Sequence, residues 1–346
     1  MRHLANLPNS ILWLGFIVSS LLLEGCATVH LSGLYTRPSP ATRAERFLIQ
    51  TDEYVILIAQ AGDTLQSLAA RFLNDKNLEW VIADFNNLRY LKPGQEVIIP
   101  LTSTNPVGVY THGYQMVPIL TYHQFGQQQG PLTVTPEMFK AQMAYLKAHD
   151  FRVIRLSDLQ AFLQGEAPLP LRAVVITIDD GYKSVYTIAY PILKKYNFPA
   201  TVFVYSDFIG LRSGLTWQDM QEMIASELID IQPHSKTHGE LASRQAVEDE
   251  MAYAHRIEEE IHHPAELIRR HLGLPIHTFS YPYGDTNDSV IARLKTHGYD
   301  MAATVQKGAN AFFAEPFMLR RTQIYGDESL DAFKKNLDVF RLEKLL

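Results

Sequence analysis

Ala173-Val-Val-Ile-Thr-Ile-Asp-Asp-Gly181 is an apolar run of strand length that ends abruptly in two carboxylates and a glycine. A run rich in Val and Ile reads as a fully buried strand of a parallel sheet. In folds built on such sheets, chemistry gathers where the strands terminate, which is where Asp179 and Asp180 are placed. The same residues also suit an ordinary strand-to-helix turn that caps the next helix. The motif alone therefore leaves both readings open.

The neighbouring segments repeat the pattern. Met116–Tyr122 is an apolar strand ending in His123, and Leu228–Gln232 is another that leads through Pro233 to His234 and His238. Helical periodicity marks Pro136 to about Ala148, Ser184 to Tyr196, about Gln218 to Glu227, and about Arg244 to His271. Strand-like runs occupy Phe151–Ile154, Ala200–Tyr205, Thr278–Tyr281, Met301–Val305 and Leu319–Tyr325. Strands alternating with helices predict an α/β fold with a parallel sheet. The length favours an incomplete (β/α) barrel of about seven strands over an open sheet.

Three strand ends thus converge on groups that can bind a metal or move protons. Two imidazoles four residues apart plus a carboxylate make a three-ligand site with a position left for water. Of the other histidines, His255, His262, His263, His271, His277 and His297 fall in polar helical or loop settings that predict solvated surface.

Thr177-Ile-Asp-Asp-Gly181 and His234-Ser-Lys-Thr-His238 together resemble the first two motifs of the NodB-like polysaccharide deacetylases of carbohydrate esterase family four. The likeness extends to Pro191-Ile-Leu-Lys-Lys-Tyr-Asn-Phe-Pro-Ala-Thr201 and Phe279-Ser-Tyr-Pro-Tyr-Gly284. It runs through essentially all of residues 116–341 and implies a distorted (β/α) barrel of about seven strands that removes N-acetyl groups from a glycan. Asp180, His234 and His238 would hold a divalent cation, with zinc the expected metal, and Asp179 would be the base. The backbone N–H at Tyr283 would complete the oxyanion site.

Two departures narrow the resemblance. The family's usual Leu-x-His acid near the C-terminus is missing, whereas Leu120-Thr-Tyr-His123 stands early in the domain. That arrangement is similar to the subgroup acting on poly-β-1,6-N-acetylglucosamine, and it implies that His123 is the acid. The third motif reads Ser280-Tyr-Pro-Tyr283 without the arginine that orients the base. Arg321 is a candidate substitute, although a surface salt bridge is the favoured expectation for it.

Before this domain, residues 53–101 form a compact unit. A strand at Tyr54–Ala59 is followed by Gly62-Asp-Thr-Leu65, a helix with Leu65, Leu68, Ala69 and Phe72 on one face, a second helix over about Glu79–Phe85, and a strand at Glu96–Pro100. With Asn86 and Leu91-Lys-Pro-Gly-Gln95, this resembles a LysM module. The resemblance implies a βααβ fold and a role docking N-acetylglucosamine-containing glycan. Trp80 and Phe85 are expected to fill its small core.

The chain has 346 residues, a formal net charge of −6 and no block of Lys or Arg. That balance argues against a nucleic-acid partner, which demands a basic surface. Its one cysteine, Cys26, excludes an intramolecular disulfide. Residues 1–25 carry a short apolar run, Ile11–Leu23, suited to a signal peptide. Leu23-Glu-Gly-Cys26 resembles the lipobox of bacterial lipoproteins, with Glu24 outside the usual pattern. An ordinary cleaved signal and an uncleaved anchor are the alternatives. Ala27 resembles the sorting residue of outer-membrane lipoproteins in a Gram-negative source, which implies a periplasm-facing anchor. Residues 26–52 and 102–115 read as linkers.

The leading expectation is an exported, lipid-anchored N-deacetylase of poly-β-1,6-N-acetylglucosamine. The LysM-like unit instead points to peptidoglycan or chitin-like β-1,4 chains. A non-catalytic glycan-binding envelope protein is the alternative from another class.

Overall fold

The computed structural model describes residues 47–343 except 104 and 129. The expected signal segment at 1–25, the lipidation site at Cys26 and most of the linker at 26–52 lie outside the described residues.

The first unit is a three-stranded antiparallel sheet with two helices. Tyr54–Ile58 is its middle strand, paired with Glu96–Pro100 and with Phe47–Gln50, a strand inside the stretch expected to be linker. Thr64 caps helix Leu65–Phe72 in a reciprocal box with Ser67, which satisfies two otherwise orphaned N–H groups. Asn86 ties helix Glu79–Phe85 to the closing strand: its amide donates to Ile82 O and Ile98 O, and its Oδ1 accepts from Ile98 N. Leu65, Leu68, Ile82, Val97 and Ile99 fill the core. Phe85, expected inside, is exposed, because the one buried stripe of so short a helix is taken by Ile82 and Ala83.

This unit is fastened to the larger domain. Asp84 Oδ2 accepts from Leu171 N at 2.9 Å, Glu79 pairs with Arg152, and Arg89 pairs with Asp150. The contacts fall at the start of strand Arg152–Ile154 and just before strand Ala173–Ile178. Further along, the stretch expected as a connector carries strands Val109–Tyr110 and Gly113–Gln115, the latter paired with Phe340–Leu342.

In the larger domain, strand Ala173–Ile178 is buried at every position. It runs parallel to Val117–Tyr122, Arg152–Ile154 and Ala200–Val204, and the last of these is followed in parallel by Ile229–Pro233. On the other flank of Val117–Tyr122, Thr322–Gln323 pairs in parallel and Ala309–Asn310 antiparallel. The architecture is mixed α/β, but the seven-strand barrel is not observed: the ladders do not close.

The gap has a physical cause. Thr278–Ser280 pairs with Met301–Ala303 as a separate two-stranded ribbon. Between it and Ile229–Pro233 the buried Gln232 side chain supplies the hydrogen bonds. Its Oε1 accepts from His277 N and Thr278 N, and its Nε2 donates to Pro275 O. A side-chain amide thus replaces a stretch of ladder, satisfying the backbone groups that an open seam would leave unpaired.

Helices cover the outside. Thr135 caps Pro136–Ala148, and Asp249 caps the long helix Glu250–Leu272, which ends at Gly273 in left-handed conformation. The helix expected over Ser184–Tyr196 is split into a π-turn, Val185–Ala189, and an α-helix, Tyr190–Tyr196. No described helix is long and apolar enough to cross a membrane.

Candidate active site

The parallel strands deliver their chemistry at one end of the sheet. Asp179 follows strand Ala173–Ile178 directly, its N–H held by Tyr122 O at 2.9 Å, one residue before His123. The chain then turns through Asp180 and Gly181, both with positive φ, 71° and 75°. A Cβ at Gly181 would lie 2.8 Å from Val204 Cγ1, so glycine is required by space as well as by conformation. From the next strand but one, His234 N donates to Val204 O at 2.8 Å, and the 234–238 loop bends through Ser235 and His238 at φ 70° and 60°. Tyr283 at φ 60° makes a fourth such residue. Left-handed backbone at non-glycine residues costs energy and gathers at functional sites, as it does here.

Glu260, a buried acid on the long helix, holds that bend. One of its oxygens accepts from Lys236 N and Thr237 N, both at 2.9 Å, and the other accepts from Thr237 Oγ1 at 2.6 Å. Ser235 Oγ accepts from His238 N.

Asp180, His234 and His238 offer ligand atoms all within 4.8 Å of one another. His234 Nδ1 lies 2.7 Å from Ser280 O, which only a protonated nitrogen can satisfy; Nε2 is the ring nitrogen that faces Asp180. The Nε2 atoms of His234 and His238 stand 3.5 and 3.3 Å from Asp180 Oδ1, which is buried and has no hydrogen-bond partner among the described residues. Three donor atoms that converge without bonding one another fit a divalent cation. Burial would raise the Asp180 pKa, but the two imidazoles outweigh it and hold the carboxyl far below its ordinary range. The group is ionised, as a ligand must be.

Asp179 is occupied differently. It is 2% exposed and gripped by Arg321, whose two terminal nitrogens donate to Oδ1 at 2.8 Å and Oδ2 at 2.7 Å. Ser280 Oγ also donates to Oδ2. The guanidinium is fixed in turn by Thr304 O at 2.8 Å, with Ser280 Oγ and Thr177 Oγ1 alongside. Burial pushes the Asp179 pKa up, yet the charge of Arg321, helped by His234 and by the bidentate hydrogen bonds, holds it below the usual value.

Arg321, expected at a surface salt bridge, is instead 1% exposed and paired with Asp179, which fits the candidate substitute for the arginine missing at Ser280. Ser280 and Glu260 carried no signal in the sequence.

His123 borders the same site. Burial holds its pKa below the ordinary imidazole value, and the negative charges of Asp179 and Asp180 offset this only in part. Its Nδ1 is buried without a hydrogen-bond partner among the described residues. Tyr283 is 66% exposed at the rim, with its ring edge-on to His238 at 4.8 Å. The structure therefore brings together Asp179, Asp180, His234, His238, His123 and Tyr283.

Comparison with known proteins agrees with this geometry. Residues 166–302 match the polysaccharide deacetylase family, and residues 58–100 match the LysM domain. The Bacillus subtilis protein YxkH, assigned to the polysaccharide deacetylases, is 30% identical over 219 residues, covering 63% of this chain and 74% of that protein. The poly-β-1,6-N-acetyl-D-glucosamine N-deacetylase of Escherichia coli K12 is 27% identical over 241 residues, which cover 60% of this chain. This chain spans only 36% of that longer enzyme. Among solved structures, IcaB from Ammonifex degensii aligns with a TM-score of 0.58 at 25% identity, covering 65% of this chain and 97% of that one.

Proposed function

The chain belongs to the polysaccharide deacetylase family, and from that premise we propose that it is a metal-dependent N-deacetylase of an N-acetylglucosamine polysaccharide of the β-1,6-linked type. The observation that carries the reading is the division between adjacent aspartates: Asp180 faces two imidazoles, while Asp179 is held bidentately by Arg321.

Asp180 Oδ1 and the imidazoles of His234 and His238 are the ligand set. A cation held there, with zinc the favoured metal for two imidazoles and a carboxylate, supplies Lewis acidity toward the acetyl carbonyl and an acidified water. Asp179 accepts the proton of the attacking water; Arg321 keeps it ionised and aimed. The N–H of Tyr283, presented by the left-handed turn at 282–284, suits the developing oxyanion. His123 delivers a proton to the departing amine; burial holds its pKa below the ordinary imidazole value, and the two aspartates beside it offset that only in part. These steps release acetate and leave a free amine on the glycan.

The β-1,6 linkage is supported by the early position of His123 and by the relative named for that substrate. The LysM domain favours a second reading, β-1,4 chains of peptidoglycan or chitin type. Acetate release from matched β-1,6 and β-1,4 oligomers, with and without a chelator, tests both. Release from β-1,6 chains that chelation abolishes is expected. Preference for β-1,4 chains would transfer the substrate to the second reading, and chelator-resistant release would remove the metal.

We also propose a lipid anchor at Cys26 on the periplasmic face of an outer membrane, supported by the position of the one cysteine behind an apolar run. Metabolic labelling with palmitate tests it: Cys26→Ala should lose all label, and retained label would reject the anchor.

A further inference from the structure

A second cluster of one carboxylate and two imidazoles lies away from the active site. Glu258 and His262 stand one turn apart on the long helix Glu250–Leu272, and His297 closes the C-terminus of helix Asp288–Thr296. Their ligand atoms all lie within 4.8 Å of one another, the spacing also met by Asp180, His234 and His238. His297 Nε2 is 2.9 Å from Glu258 Oε1, yet among the described residues neither it nor Glu258 Oε2 is aligned in a hydrogen bond, and both atoms are buried. The rings of His262 and His297 are 5.1 Å apart.

We propose that Glu258, His262 and His297 form a second binding site for a divalent transition-metal ion of the zinc class. Two imidazoles select such an ion over magnesium or calcium, which prefer all-oxygen shells. Bonds of 2.0–2.2 Å to a tetrahedral ion put ligand atoms about 3.4 Å apart. The closure from the present spacing is available to His262, which is 48% exposed and would turn from a 3.7 Å contact with the exposed Glu266 Oε2. His297 is the anchored ligand: its backbone N–H is held by Arg293 O and Leu294 O, and its side chain is 19% exposed. Arg293 Nη1, 3.0 Å from Glu258 Oε2, leaves the other carboxylate oxygen for the ion and weakens the site through its charge. The competing account is an ion-pair network of Arg293, Glu258 and protonated His297, with no metal.

The placement suggests what the ion does. It would join the two helices at Glu258, and Glu260, two residues along, is the group that holds the 234–238 loop. An ion here would brace the helix that positions His238 without touching substrate.

The test is stoichiometry. The purified full chain is dialysed against low-micromolar zinc, and bound metal is measured by elemental analysis beside the His262→Ala/His297→Ala double variant and Glu258→Gln. The expected result is about two equivalents for wild type and about one for each variant, with acetate release retained as evidence of folding. Should the active site itself take no metal, wild type would hold one equivalent that the substitutions remove, which separates the two readings. Glu258→Gln keeps side-chain volume and serves if the double variant fails to fold. Metal content unchanged by the substitutions, or none in wild type, overturns the proposal.

Discussion

Replacing Arg321 with Met removes the guanidinium while roughly preserving the length of the side chain. Asp179 would then be a 2%-exposed carboxylate whose remaining side-chain donor is Ser280. Breaking a buried ion pair from one side costs about 3 to 5 kcal/mol, because the surviving charge is left uncompensated. An opposite charge at this distance lowers a carboxylate pKa by about 1 to 3; without it, burial, which raises the Asp179 pKa, goes unopposed by that charge. The acid limb of the pH–rate profile should therefore move up by about 1 to 3 pH units. Asp179→Asn strands the guanidinium instead and should cost a similar amount. The double variant removes both charges and should be more stable than the sum of the single losses by at least about 2 kcal/mol. Denaturant unfolding of metal-stripped protein measures the cycle, and acetate release across pH measures the limb. Additive losses in the cycle, or an Arg321→Met profile superimposable on wild type, would refute the assignment of Arg321 to the base.

Glu260→Ala should loosen the 234–238 loop and weaken metal affinity by about 10- to 100-fold, with activity recovered at high metal concentration; a competition titration against a chromophoric chelator reads it, and unchanged affinity would deny Glu260 that role. Gly181→Ala places a methyl group 2.8 Å from Val204 Cγ1 at a φ of 75°, and should destabilise by about 1 to 3 kcal/mol, visible as a lower urea midpoint. Asp179 has a folded pKa below its ordinary 3.8, so the stability it contributes is complete above about pH 4 and is lost as pH falls through the folded value. Acid unfolding of chelated wild type should accordingly be steeper at low pH than that of Asp179→Asn; equal slopes would contradict the sign.

Much of the catalytic domain could be read from strand ends. Buried runs such as Ala173–Ile178 and Val117–Tyr122 have no polar face, so the residues that follow them were bound to emerge at one edge of the sheet. That placed Asp179, Asp180, His123 and His234 together. Closure of the barrel was not legible, because Gln232 replaces ladder hydrogen bonds with a side chain, and a single glutamine in an apolar strand carries no such message. Arg321 failed for a related reason. An arginine 142 residues from its partner reads as surface until the chain brings the two together in the interior. Glu260 looked like any helix acid, and only its position over two loop N–H groups distinguishes it. In the LysM unit, the helical stripe identified Leu65, Leu68 and Phe72 correctly, whereas Phe85 was misplaced because hydrophobicity alone does not say which face of a two-turn helix is covered.

The central claim is that Asp179 is the base and Asp180 the ligand. The direct test measures acetate released from a β-1,6-linked N-acetylglucosamine oligomer by wild type and Asp179→Asn at equal, independently assayed metal content. The account predicts full metal occupancy in both and a loss of about 10²- to 10⁴-fold in rate for the variant. A variant that keeps wild-type acetate release, or one that loses its metal along with its activity, would contradict it.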